Sequence, residues 1–162
     1  MALMAYLTLE GSSQGAMDGS CEQKSREKTI EVFAIEHNIM IPKDPQTGQP
    51  TGSRQHQPFC ITKPLDKASP KIMQAVASGE QMSKFELKYF RINDKGQEEH
   101  YYTVKLEKAI VVTRNVAKKN IKLDEYKNLT DLETVSFTYE KIVETFEKDG
   151  IEGEDNWKEP KA

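Results

Sequence analysis

The stretch MSKFELKYFRINDKGQEEHYYTVKLEKAIVVTR, residues 82–114, decides the fold. Over Met82 to Ile92, Phe85, Leu87, Tyr89 and Arg91 fall on one side of a two-residue alternation, and Glu86, Lys88, Phe90 and Ile92 on the other. A period of two belongs to a strand, whose successive side chains point to opposite faces of a sheet. Asn93-Asp94-Lys95-Gly96 has the composition of a tight turn, and Tyr101 to Arg114 returns with Tyr102, Val104, Leu106, Ile110 and Val112 in one phase. The stretch is therefore expected to form a long antiparallel hairpin whose return strand runs unbroken to Arg114.

The pattern continues on both sides of the hairpin. Thr29 to Ile41 places Phe33, Ile35, His37, Ile39 and Ile41 on one parity and Ile30, Val32, Ala34, Glu36, Asn38 and Met40 on the other. A strand apolar on both faces either crosses an ordinary core or has one face covered by a second subunit, and the sequence leaves both open. Met4 to Glu10, Phe59 to Leu65 and Leu132 to Phe146 read as further strands. One helix is expected, with Ser69 as N-cap, Pro70 at its first position, an apolar stripe of Ile72, Met73, Val76 and Ala77, and Gly79 ending it. Gly11 to Lys28 and Asn115 to Thr130 are polar surface connections, and the acidic residues 147–162 around Trp157 are expected to be a loose tail. Between Pro42 and Pro58 almost no large apolar side chain occurs, and proline and glycine recur throughout. That composition predicts neither strand nor helix but a long stiff loop, residues 42–58, suited to docking on a partner at low entropic cost. The expected fold is mainly β: a single domain over residues 1–162, a two-sheet β-barrel or sandwich with one short flanking α-helix and a long proline-rich extended loop.

Composition narrows the function. The 26 acidic and 23 basic residues are interspersed and leave a formal charge of −3, which builds no track for a phosphate backbone, so no nucleic-acid partner is expected. Arg114, Lys118, Lys119 and Lys122 lack interleaved aromatics and read as a salt-bridging surface. No run approaches the roughly 20 apolar residues of a membrane helix, and the first residues have no basic segment of the signal-peptide kind. Synthesis and folding in the cytoplasm are expected, with any export independent of a general secretory signal. Cys21 and Cys60 are expected to be free thiols. Motifs for a nucleophile elbow, a phosphate loop, a zinc helix or a dithiol are absent, and His37, His56 and His100 lie in separate segments, so no catalytic residue, cofactor or metal site is expected.

A set of segments in fixed order makes the chain recognisable. It comprises residues 42–52 (PKDPQTGQPTG) with Arg54, His56, Pro58 and Phe59, then residues 66–70 (DKASP), 77–80 (ASGE), 89–91 (YFR) and 96–100 (GQEEH). Residues 137–142 (FTYEKI) and 155–157 (DNW) complete it. Together they resemble the Hcp family, tube proteins of bacterial type VI secretion systems, and within it the enterobacterial-type branch. The resemblance implies hexameric rings that stack into a hollow tube inside a contractile sheath, tipped by a VgrG spike, with secreted effectors carried in the lumen. It implies export to the extracellular space or a target cell without a signal peptide, and no appended toxin domain. On that basis Pro45, Gln46, Gly48, Gln49, Pro50 and Arg54 are expected to contact a neighbouring ring or subunit, and Glu36, Asn38 and Met40 to offer a lumen surface to effectors. Some relatives carry a small polar residue near Glu36 for cargo, and the glutamate departs from that pattern. A tail-tube protein of a phage-like contractile particle would share the architecture. A monomeric carbohydrate-active β-sandwich enzyme would need a cleft with two carboxylates, and an effector acting alone would be active on target cells.

Overall fold

The structure is a computed structural model that describes residues 2–160; Met1 and the last two residues lie outside it. The chain runs β1 (Ala2–Gly11), β2 (Gly15–Ala16), β3 (Ile30–Val32), β4 (Ala34–Glu36), β5 (Ile39–Met40), β6 (Gln55–His56), β7 (Phe59–Pro64), α1 (Ser69–Ser78), β8 (Met82–Ile92), β9 (Glu98–Glu107), β10 (Ile110–Ala117), β11 (Leu132–Thr138), β12 (Lys141–Phe146) and β13 (Ile151–Asn156). β8 and β9 form the expected hairpin, with Leu87 opposite Val104 and the turn held by Asn93, whose Oδ1 accepts the amides of Lys95 and Gln97. β1 adds to β8 with Leu7 opposite Leu87, and β12 and then β13 extend the other side. This sheet has the order β13-β12-β9-β8-β1-β2, with β3 also on β1; the second has the order β10-β11-β7-β4.

The return strand is not continuous. Lys108 takes a left-handed conformation (φ 53°), a cost of about 1 kcal/mol for a residue with a Cβ, and the chain leaves the first sheet there to enter the second as β10. The bend also shifts the inward parity. Val104 and Leu106 are buried before it, Ala109 and Val111 after it, so Ile110 is only half-buried and Val112 is exposed. Thr29 to Ile41 is likewise no single strand. Ile30 and Val32 are buried in β3 against β1; the chain bends at Phe33, whose amide donates to the Thr62 carbonyl, and continues as β4 on β7. Inward-facing positions are even before Phe33 and odd after it, where Ile35 packs on the core. Strands that switch sheets at a bend make the corners of a closed sandwich. With the Met82 amide donating to the Ala109 carbonyl and Gln81 bridging Ile110, hydrogen bonding links β8 through β1 to β3, across the Phe33 corner to β7, and through β11 and β10 back to β8.

Between the sheets lies one core built from Leu7, Leu9, Ile30, Phe59, Ile61, Phe85, Leu87, Val104, Val135 and Phe137. The Phe85 ring meets Phe59 and Phe137 edge-on, with centroids 5.7 and 4.9 Å away. α1 covers it with Ile72, Ala75 and Val76, while Met73 and Ala77 face outward, so the buried stripe is rotated from the expected one. Gly79 ends the helix in the left-handed region, its amide bonded to the Ala75 carbonyl. Ser69 is not the cap. Ala68 occupies that position, the Asp66 carboxylate accepts the Ala68 amide, and the Ser69 hydroxyl accepts the Asp66 amide and donates to Glu133. The segment expected to be a loose tail is ordered: every residue of β13 pairs with β12, after a turn through Gly150 at φ 63°. Its polar residues sit on an exposed edge, so no apolar alternation announces it.

Where the helix starts, a fully buried Lys63 lies against the buried Glu133 carboxylate and also donates to Asp66 (3.0 Å), Ser69 (3.2 Å) and the Pro64 carbonyl (2.9 Å). The second Glu133 oxygen accepts from Arg114 Nε at 2.7 Å. Burial alone would raise the Glu133 carboxyl, but hydrogen bonds from Lys63, Ser69 and Arg114 outweigh it and hold the carboxyl below its ordinary range. Glu133→Ala, which strands Lys63 in the core, is expected to cost about 3–5 kcal/mol in urea unfolding at neutral pH. A carboxyl with a depressed folded pKa stabilises fully above its unfolded value of about 4.3 and loses that contribution as pH falls further, so the gap between wild type and variant is expected to narrow in the same titration at about pH 3.

Candidate assembly surface

Residues 42–58 form a narrow hairpin projecting from the body, a correction to the expectation of no regular structure. Ile39 pairs with His56 and Met40 with Gln55, and Lys43 bridges Pro50 farther out. The bonds flanking that bridge run from the Thr51 amide to the Pro42 carbonyl (2.7 Å) and from the Asp44 amide to the Gln49 carbonyl (2.9 Å). Neither requires an amide from Pro50, so the missing donor costs nothing. At the tip, the Asp44 carboxylate accepts the amides of Gln46 (2.7 Å) and Thr47 (3.1 Å), and Gly48, at φ 72°, returns its amide to the Asp44 carbonyl. Pro45, Gln46, Gly48, Gln49 and Pro50 are all exposed on this stiffened tip.

Arg54 sits apart from them, at the base. Its Nε donates to Asp155 Oδ2 at 2.6 Å, and its terminal nitrogen donates to the carbonyls of Asn156 (2.9 Å) and Glu159 (3.0 Å). His56 Nε2 also lies 2.7 Å from Asp155 Oδ2; His56 Nδ1 lies 2.6 Å from the Tyr139 hydroxyl, which His37 Nε2 approaches at 2.7 Å. Trp157 stacks on His56 at a centroid distance of 5.8 Å and donates its indole N–H to the Tyr139 carbonyl. Both legs of the arm are thus fastened to the turn after β11 and to β13. Burial lowers the His37 pKa, with Glu144 opposing and His56 reinforcing that shift, and burial raises the Tyr139 phenol. Sequence reasoning treated these residues separately. The one available signal was that His37 precedes the proline-rich segment and His56 stands near its end, where pairing of the two legs brings them together.

Glu36, Asn38 and Met40 are exposed, and Phe33, Ile39 and Ile41 are exposed beside them in the chain. Large apolar side chains therefore stand on both parities where the arm leaves the body. Val112 and Val116 of β10, and Ile121, Leu123 and Leu129 in the loop that follows, are exposed as well. In the basic segment, Arg114 is paired with Glu133 and Lys118 with Asp131 at 2.6 Å. Cys21 and Cys60 are free thiols.

The family model described as "Type VI secretion system effector, Hcp" matches residues 6–146. The chain belongs to the Hcp family. The "Major exported protein" of Pseudomonas aeruginosa is 40% identical over 171 residues, spanning 100% of this chain and 99% of that protein. Among solved structures, the Hcp1 protein of the E. coli EAEC 042 pathovar superposes with a TM-score of 0.85 at 38% identity, covering 96% of this chain and 99% of its own. The secreted protein Hcp3 from P. aeruginosa gives 0.78 at 34% identity, over 95% and 97%. The Hcp chain described here thus shares its sheet architecture with these relatives along nearly its whole length. Within it, Tyr139→Phe keeps the ring but leaves two histidine nitrogens without their partner; it is expected to cost about 1–3 kcal/mol in thermal or urea unfolding, with the fold retained by circular dichroism.

Proposed function

We propose that this chain is the ring-forming subunit of the type VI secretion tube, a structural role rather than a catalytic one. It would assemble as a hexamer whose rings stack inside the contractile sheath beneath the VgrG spike, and leave the cell with the tube after folding in the cytoplasm. The observation that carries the reading is a core complete within one chain, combined with large apolar side chains left exposed at the arm base, on β10 and in the loop that follows it. Apolar surface of this kind can be covered by a neighbouring copy, and a head-to-tail contact that closes on itself gives a ring. The stiff tip, Pro45, Gln46, Gly48, Gln49 and Pro50, meets the neighbouring ring or subunit, and Arg54 sets the angle at which it is presented. Glu36, Asn38 and Met40 face the lumen and meet secreted effectors.

Light scattering behind a sizing column tests the assembly. A particle of about six subunits is the expected result, as the family implies; a monomer at high concentration counts against it. Gln46→Ala combined with Gln49→Ala is expected to leave the ring mass unchanged while tube formation, followed by negative-stain microscopy, drops sharply.

A further inference from the structure

Tyr139 lies between two histidines, one on each leg of the arm, and that arrangement limits how many protons the site accepts. A phenol hydroxyl donates one hydrogen bond and accepts two. With both rings neutral, His37 Nε2–H donates to the Tyr139 oxygen, the hydroxyl donates to His56 Nδ1, and His56 Nε2–H donates to Asp155, so each of the three contacts has one donor and one acceptor. A first proton is accommodated on His56. Both its nitrogens then donate, to Tyr139 and Asp155, and the hydroxyl turns toward a neutral His37 Nε2. A second proton has no such solution, because both rings then aim N–H groups at one oxygen and the hydroxyl proton has no acceptor between them. Two imidazolium ions would also face each other across a single atom.

We propose that the His37–Tyr139–His56 bridge is an acid-opened latch that holds the arm against the body at neutral pH and releases it when both rings carry a proton. The charged and titratable groups turned toward it come from every element that packs there: Arg54 and His56 from the arm, His37 from the opposite leg, Tyr139 from the turn after β11, Glu144 from β12 and Asp155 from β13. Asp155 is shared between Arg54 and His56. His37 is half-buried against Phe59, with centroids 5.1 Å apart. Burial holds the His37 pKa below the ordinary histidine value. Opening separates His56 from Trp157 and Tyr139, and so frees the arm legs and the end of β13 together. Its effect on ring stacking rests on the assembly role proposed above; the latch itself does not.

The test is amide hydrogen exchange on the full chain between about pH 7 and about pH 5, corrected for the intrinsic pH dependence of exchange, with emission of the sole tryptophan followed in parallel. The Gln57 amide, bonded to the Asn38 carbonyl at the arm base, is expected to exchange at least about tenfold faster at the acid end, while amides of the β8–β9 hairpin hold their protection. His37→Gln keeps a polar partner for Tyr139 that does not titrate and is expected to abolish the acid response of both signals. Arm amides that track the hairpin amides throughout overturn the proposal, as does a full acid response in His37→Gln. Should the variant fail to fold, the wild-type comparison of arm with hairpin decides alone. Light scattering on the same samples separates the two readings: a monomer whose arm opens in acid sinks the assembly and leaves the latch, and a ring whose arm stays closed does the reverse.

Discussion

Two bends, at Phe33 and Lys108, carry the backbone out of one sheet and into the other, and everything else in the molecule is arranged around them. A sandwich with free edges would expose rows of unpaired amides and carbonyls. Here the strands around the core turn the corners themselves, so the hydrogen-bonding path there returns to its origin, and β13, at the end of the β12 branch, is left as a polar exposed edge. Each bend reverses the parity of what faces inward. The first reversal brings Ile35 and His37 to the body and sends Glu36, Asn38 and Met40 outward, which sets the position from which the arm departs.

A second constraint operates below the helix. Lys63 and Glu133 are both removed from water, where isolated charges are very unfavourable, and their neighbours compensate: Asp66, Ser69 and Arg114 occupy the remaining donors and acceptors. Asp66 and Ser69 also hold the approach to α1, the Asp66 carboxylate accepting the Ala68 amide and the Ser69 hydroxyl accepting the Asp66 amide. Helix start, β7 and β11 are therefore joined by directional bonds as well as by packing, which fixes where the helix lies over the core.

The strongly alternating segments of the fold were legible in the sequence. β8 and β9, the helix end at Gly79 and the mainly β character followed from periodicity and turn chemistry, and the ordered segments were enough to recognise the family. The errors share a physical origin. Periodicity reports which side of a strand a residue is on, not which sheet the strand belongs to, so the corners at Phe33 and Lys108 were read through. β13 escaped because a solvent-exposed edge strand needs no apolar face. The proline-rich hairpin was hidden because its ladder uses the amides of Asp44 and Thr51 and bypasses Pro50. The histidine cluster depends on contacts across about a hundred residues, such as His37 with Tyr139 at a separation of 102, which local pattern does not encode.

The anchoring of Arg54 has a bearing on how the molecule is made. Its partners begin at Asp155, 101 residues farther along the chain. Domains emerge from the ribosome N-terminal part first, so the arm leaves the exit tunnel long before the strand that secures its base exists. A nascent chain carries an arm tip already shaped by its own turn but with no fixed direction. The direction of the arm base is fixed only once β13 has been made.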